Sequence, residues 1–193
     1  MLLTNLLQAE LRQRMPGRIA DIRYQLSDNP NLSQEHILDA EKVYSDQHYK
    51  GNFEIQSSPR VEHLEISRDQ VISYFPQRRN VAAVGTIPIT RVVYPLDMTI
   101  QSNATRRSIE RALSPHIELK RDSLIIYHCN TTIKENEIEN IKEEVKTLTS
   151  AYESIVSQID AELEKYYELF ARKVTELISE DQNRRDLEAK LNL

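Results

Sequence analysis

Cysteine is nearly missing from this sequence: Cys129 is the single thiol in 193 residues. One thiol builds neither a disulfide framework nor a cysteine-based zinc site, and such usage points to a reducing compartment, so a cytoplasmic location is expected. Glycine numbers three, which argues against a loop-rich or phosphate-cradling fold, and no Gly-rich loop motif is present. No stretch approaches 18 consecutive apolar residues, so no membrane span is expected. The opening MLLTNLLQAELRQRMP has no apolar core of signal-peptide length. His36, His48 and His63 are scattered without ligand spacing, so neither a metal nor a cofactor is expected.

Two further absences shape the C-terminal third. No Pro follows Pro115 and no Gly follows Gly85, so nothing interrupts a helix there. Composition from Ile133 onward is dominated by Glu, Lys, Leu, Ile and Ala, which favours helix when summed over such a window. Ile138, Ile141, Val145, Leu148, Tyr152, Ile155 and Ile159 alternate steps of three and four, the seam of a heptad repeat. The seam then slips to Leu163 and resumes as Tyr166, Phe170, Val174 and Leu177, a stutter that locally unwinds a coiled coil.

Such a helix is long. At about 1.5 Å per residue, some 45 residues span roughly 70 Å. A compact domain built from the remaining residues would be only about 30 to 40 Å across. Two arrangements shelter the seam: a helical hairpin closed by the N-terminal helices of the same chain, or association with another chain. The upstream helices look too short, so a partner protein or homo-oligomer through the C-terminal helix is the expectation.

Charge is uneven. From Ile133 onward 15 acids stand against 9 bases, a net of −6, while the first 132 residues hold 15 acids and 16 bases, a net of +1. The acidic arm is a poor nucleic-acid clamp.

Taken in order, Leu2, Leu3, Leu6, Leu7 and Leu11 predict a short helix over Leu2 to Met15, ended by Pro16-Gly17. Ile19, Ile22 and Leu26 predict a second, stopped at Asp28-Asn29-Pro30. Ser33 caps a third, Gln34 to about Tyr49, with Gly51 as its C-cap. From Phe53 the period changes to two, and short strands are predicted around Phe53–Ile55, Val61–Ile66, Val71–Phe75, Val81–Val84, Ile87–Ile89 and Arg91–Tyr94. Pro88 makes its strand an edge, a bend or a loop. Ala104 to Leu113 reads as a short helix capped by Ser102 or Asn103. Ile117–Leu119 and Ser123–Tyr127 read as a hairpin turning at Arg121-Asp122, and Asn130-Thr131-Thr132 as the cap of the long helix. The predicted fold class is α+β, with a boundary near Asn130. Residues 1–130 form a body, helical over 1–50 and mainly β over 51–130, with a small, mostly antiparallel sheet. Residues 131–193 form a coiled-coil-like helix.

Two residue groups are candidates for chemistry. Pro95-Leu96-Asp97 followed by Glu118-Leu119-Lys120 has the form of the PD…(D/E)xK nuclease signature, in which acids on adjacent strands hold Mg²⁺ and orient a water. The helix predicted between them is unfavourable context, and a surface charge pair is the better reading of Asp97, Glu118 and Lys120. Arg106, Arg107 and Arg111 on the short helix, with Arg121, are the candidate anion or nucleic-acid patch.

The order Arg91-Val92-Val93-Tyr94-Pro95-Leu96, then Leu119 through Ile126, then a long helix through Tyr152, Ile155, Leu163 and Arg172-Lys173 resembles the non-catalytic N-terminal region of large bacterial proteins that carry a restriction-endonuclease-like domain downstream. The resemblance spans about residues 91–180, and this chain ends where that nuclease domain would begin. It implies an interaction or sensing module beside an effector in defence against foreign DNA, with no catalytic residue to carry over. The expected function is therefore a non-enzymatic interaction or oligomerisation subunit of a bacterial multi-protein assembly. Nucleic-acid binding is the first alternative and a Mg²⁺-dependent nuclease the second.

Overall fold

A computed structural model describes residues 2–29, 31–78, 85–130 and 132–191. The elements are α1 (Leu2–Asp28), α2 (Gln34–Ser45), β1 (Phe53–Ile55), β2 (Arg60–Ser67), α3 (Arg68–Tyr74), β3 (Thr86–Met98), α4 (Asn103–Ala112), β4 (Ile117–Leu119), β5 (Ser123–His128) and α5 (Glu135–Leu191). The architecture is α+β with a long C-terminal helix, as expected. Among the described residues no helix is long and apolar enough to cross a membrane.

The chain divides differently from the expected body and arm. One compact unit joins Met1–Lys50 to Val156–Leu193, and the other is Gly51–Ile155. The division passes through α5, which contributes residues 135–155 to one unit and 156–191 to the other.

In the helical unit, α1 runs straight through Pro16 as one helix of 27 residues, correcting the two short helices expected. An interior Pro forfeits a backbone hydrogen bond and costs about 3 kcal/mol. Apolar burial offsets it, because the stripe keeps register across the proline: Leu3, Leu7 and Leu11 are buried before it, Ile22 and Leu26 after it, with half-buried Met15 and Ile19 between. Pro16 itself points outward. The later part of α5 buries Ile159, Leu163, Tyr166, Phe170, Val174 and Leu177. Gln8 Nε2 donates to Glu162 Oε2 at 2.8 Å, and the Arg185 guanidinium donates to the Leu26 carbonyl. Residue numbers rise together along both helices, so α1 and α5 run parallel. Ser33 caps α2, as expected, accepting from the His36 amide. A π-helical turn, Asp46–Lys50, follows α2 and buries Tyr49.

The other unit is built on β3, a central strand of 13 residues. One edge of β3 takes β1 and then β2, the other takes β5, and β4 pairs with β5, all antiparallel. The two prolines of β3 sit where pairing lapses. Pro88 lies opposite Glu65 of β2, beyond the stretch that pairs with β5. Pro95 falls in the gap between the β2 and β1 pairings, where a missing N–H leaves no ladder bond unmade. Gly51 has φ +58°, and a Cβ there would lie 2.7 Å from the Ile100 amide nitrogen, so only glycine fits this turn.

The expected strand over Val71–Phe75 is helix α3. Ser67 accepts from the Gln70 amide while the Gln70 side chain accepts from the Ser67 amide, a capping box that commits the following turn to helix. Val71 and Phe75, four residues apart, then join Ile66, Ile89, Val93, Ile125 and Tyr127 in a core on one sheet face. Helix α4, capped by Ser102, and the β4–β5 hairpin are as expected. Helix α5 starts at Glu135, later than the expected Asn130–Thr132 cap. Its first turn is closed by the Lys134 amide donating to Glu137 Oε2 at 2.6 Å. The strand expected at Val81–Val84, and Thr131, lie outside the described residues.

Candidate functional site

The seam expected to need another chain is covered within this one. Ile141, Leu148, Ile155, Ile159, Leu163, Tyr166, Phe170, Val174 and Leu177 are buried, Val145 and Tyr152 are half-buried, and only Ile138 is exposed, at 43%. The expectation of an uncovered ridge failed for two reasons. Helix α1 is twice the length read from the sequence, and the first part of α5 packs within a different unit from the rest.

The helical unit is locked by a carboxylate that sequence reasoning missed. Glu41 is fully buried. Arg14 Nε and Arg18 Nε donate to it at 3.1 and 2.8 Å, and Tyr166 Oη donates at 2.8 Å. Burial alone would raise its pKa, but the bonds from Arg14, Arg18 and Tyr166 outweigh that and hold it below the ordinary value of 4.5. The Arg14 guanidinium lies 3.5 Å from the centre of the Tyr44 ring, and Tyr49 is pushed upward by burial. This constellation joins three helices through satisfied bonds. Its one sequence signal was Glu41 falling on the apolar face of α2 with Ile37.

The helical unit keeps an apolar groove of about 470 Å³ beside Leu11, Met15, Ile19 and Leu169, and a larger one lies in the β-rich unit. On the sheet face opposite the α3 core, Val61 and His63 of β2 continue the row formed by Val92 and Tyr94 of β3. The first turns of α5 stand beside that row, leaving a groove of about 890 Å³ between Val61, Val92 and Tyr94 on one side and Ile138, Ile141 and Val145 on the other. Val61 is 55% exposed. At the opposite end of this stretch of α5, Tyr152 stacks on Phe53 with ring centres 4.7 Å apart. His63 Nδ1 shares a hydrogen bond with the buried Thr90 hydroxyl at 3.1 Å.

The nuclease candidates are not brought together. Glu118 stands opposite Ile125, which stands opposite Val93. Asp97 is four residues further along β3 and two strands across, about 13 Å along and 10 Å sideways at ordinary strand spacings. Asn52 Nδ2 donates to Asp97 at 2.8 Å, and Glu118 accepts from the Tyr127 hydroxyl at 2.7 Å. Lys120 Nζ lies 3.8 Å from Glu118, the surface charge pair expected. Among the described residues no group of three or more His, Cys, Asp or Glu is placed to hold a metal ion.

Arg107, Arg111 and Arg121 are exposed and Arg106 is half-buried. His116 and His128, which flank the hairpin, reach the start of α5, pairing with Glu144 at 2.8 Å and Glu137 at 3.1 Å. Half-buried Cys129 packs against the α3 core.

No family model, curated protein or solved structure matches this chain.

Proposed function

We propose that this protein is a non-catalytic interaction subunit of a multi-protein assembly, and that a segment of a partner protein occupies the groove between β2 and α5. The observation that carries the reading is the groove's apolar lining, with Val61 and Ile138 exposed on its opposite walls. A shared apolar concavity of that kind is the usual mark of a recognition surface. The seam of α5 is occupied by its own chain and is not the docking surface in this reading. The resemblance of residues 91–180 supports a role for that assembly in bacterial defence against foreign DNA.

The test is the Val61→Asp, Ile138→Asp double variant, two substitutions at exposed positions. A partner identified with the native chain should be lost by this variant while its melting curve stays unchanged. Retention of that partner by the folded variant overturns the reading.

Nucleic-acid binding is the second reading. Arg106, Arg107, Arg111 and Arg121 form no ion pair among the described residues, so their charge is free to meet phosphate. Affinity for a DNA duplex should then fall steeply with salt, and a triple Ala variant at Arg106, Arg107 and Arg111 should flatten that slope. An unchanged slope removes this reading.

A further inference from the structure

Resting on the groove reading, we infer that the partner segment is an extended peptide that adds to the free edge of β2 as the next strand of the sheet.

Among the described residues the sheet has three edge strands, and they differ. β1 and β4 are three residues each, and so short an edge offers little to pair with. β2 is eight residues, Arg60–Ser67. Among the described residues it pairs only with β3. On its outer side Val61, His63 and Glu65 therefore turn their N–H and C=O groups away from β3, while the Ser67 N–H is held by the Gln70 side chain, leaving a template of roughly 20 Å at strand spacing.

Charge on an edge normally discourages a new strand. On β2 that charge is held within its own sheet. Glu62 is clamped by Arg60 at 2.9 Å and Arg91 at 2.6 Å, and Glu65 accepts from the Thr86 hydroxyl at 2.6 Å. What faces the groove is Val61 and His63, both exposed. A strand laid about 4.8 Å beyond β2 sends every second side chain to this face, beside Val61 and into the groove mouth. Backbone bonds would supply affinity and the groove would select apolar residues at alternate positions.

The chemistry of the partner is thus an extended segment with apolar residues at a spacing of two, not an amphipathic helix. The probe is a random short-peptide library displayed on phage, selected on the full chain and counter-selected on Val61→Asp, with Ile138→Asp as a second control. Enriched peptides should show apolar residues at every second position. Methylating one alternate set of their backbone amides should weaken binding about tenfold per amide, and methylating the other set should leave it unchanged. Enriched peptides with apolar residues three and four apart, insensitive to alternate methylation, overturn the strand while leaving the groove as the docking surface. No peptide that separates the native chain from Val61→Asp overturns both.

Discussion

The two units differ in how much apolar surface they leave open. In the helical unit the part of the α5 seam from Ile159 to Leu177 is buried and the polar centre is closed, with Glu41 clamped by Arg14, Arg18 and Tyr166. A smaller apolar groove stays open there beside Leu11, Met15, Ile19 and Leu169. In the β-rich unit one sheet face is sealed by α3. The other keeps a groove beside an eight-residue free edge. Under the proposed function, recognition falls to the β-rich unit, where the larger groove lies.

The largest expected effect is at Glu41. Glu41→Ala leaves two guanidinium groups at a buried site and should cost about 3 to 5 kcal/mol in denaturant unfolding. The same residue gives the helical unit an acid sensitivity. Its folded pKa is depressed, so its contribution is present above the ordinary glutamate range and is lost as pH falls through the folded value. Stability of the native chain should drop below about pH 4.5, and Glu41→Gln, less stable at neutral pH, should show a flatter acid limb.

Phe170→Ala, at a fully buried position of the helical unit, should cost about 3 to 5 kcal/mol, and Ile89→Ala in the sheet core about 2 to 5. Hydrogen exchange should locate each loss in its own unit. Equal opening of α1 by both variants would break the comparison. Ser67→Ala removes the α3 capping box and should cost about 1 kcal/mol. The smallest stability effect is expected for Val61→Asp, within about 0.5 kcal/mol, and thermal melting checks it.

How much of this was legible depended on whether a signal was local. Ser33, Ser102 and the Arg121-Asp122 turn placed α2, α4 and the β4–β5 hairpin, because caps and tight turns are set by the residues that form them. Val71–Phe75 was misread as a strand because its apolar run outweighed the Ser67–Gln70 capping box, itself a local signal and present in the sequence. Pro16-Gly17 was misread as a stop, although the stripe from Leu11 through Met15 and Ile19 to Ile22 already kept register across it. The long helix was right, but its seam was assigned to another chain, because nothing local says that Ile141 and Phe170 pack in different units. The Glu41 clamp needs three helices brought together, and the groove needs β2, β3 and α5. Neither is written in any one segment.

The α5 seam is satisfied by its own chain, while the outer edge of β2 is unpaired among the described residues. Residue-resolved amide hydrogen exchange on the full chain, at a dilution where sedimentation gives a single-chain mass, tests both halves at once. Strong protection is expected across 159–177 of α5, with fast exchange at the amides of Val61, His63 and Glu65. Rapid exchange along that part of α5 in the single chain, or uniform protection of β2, would contradict it.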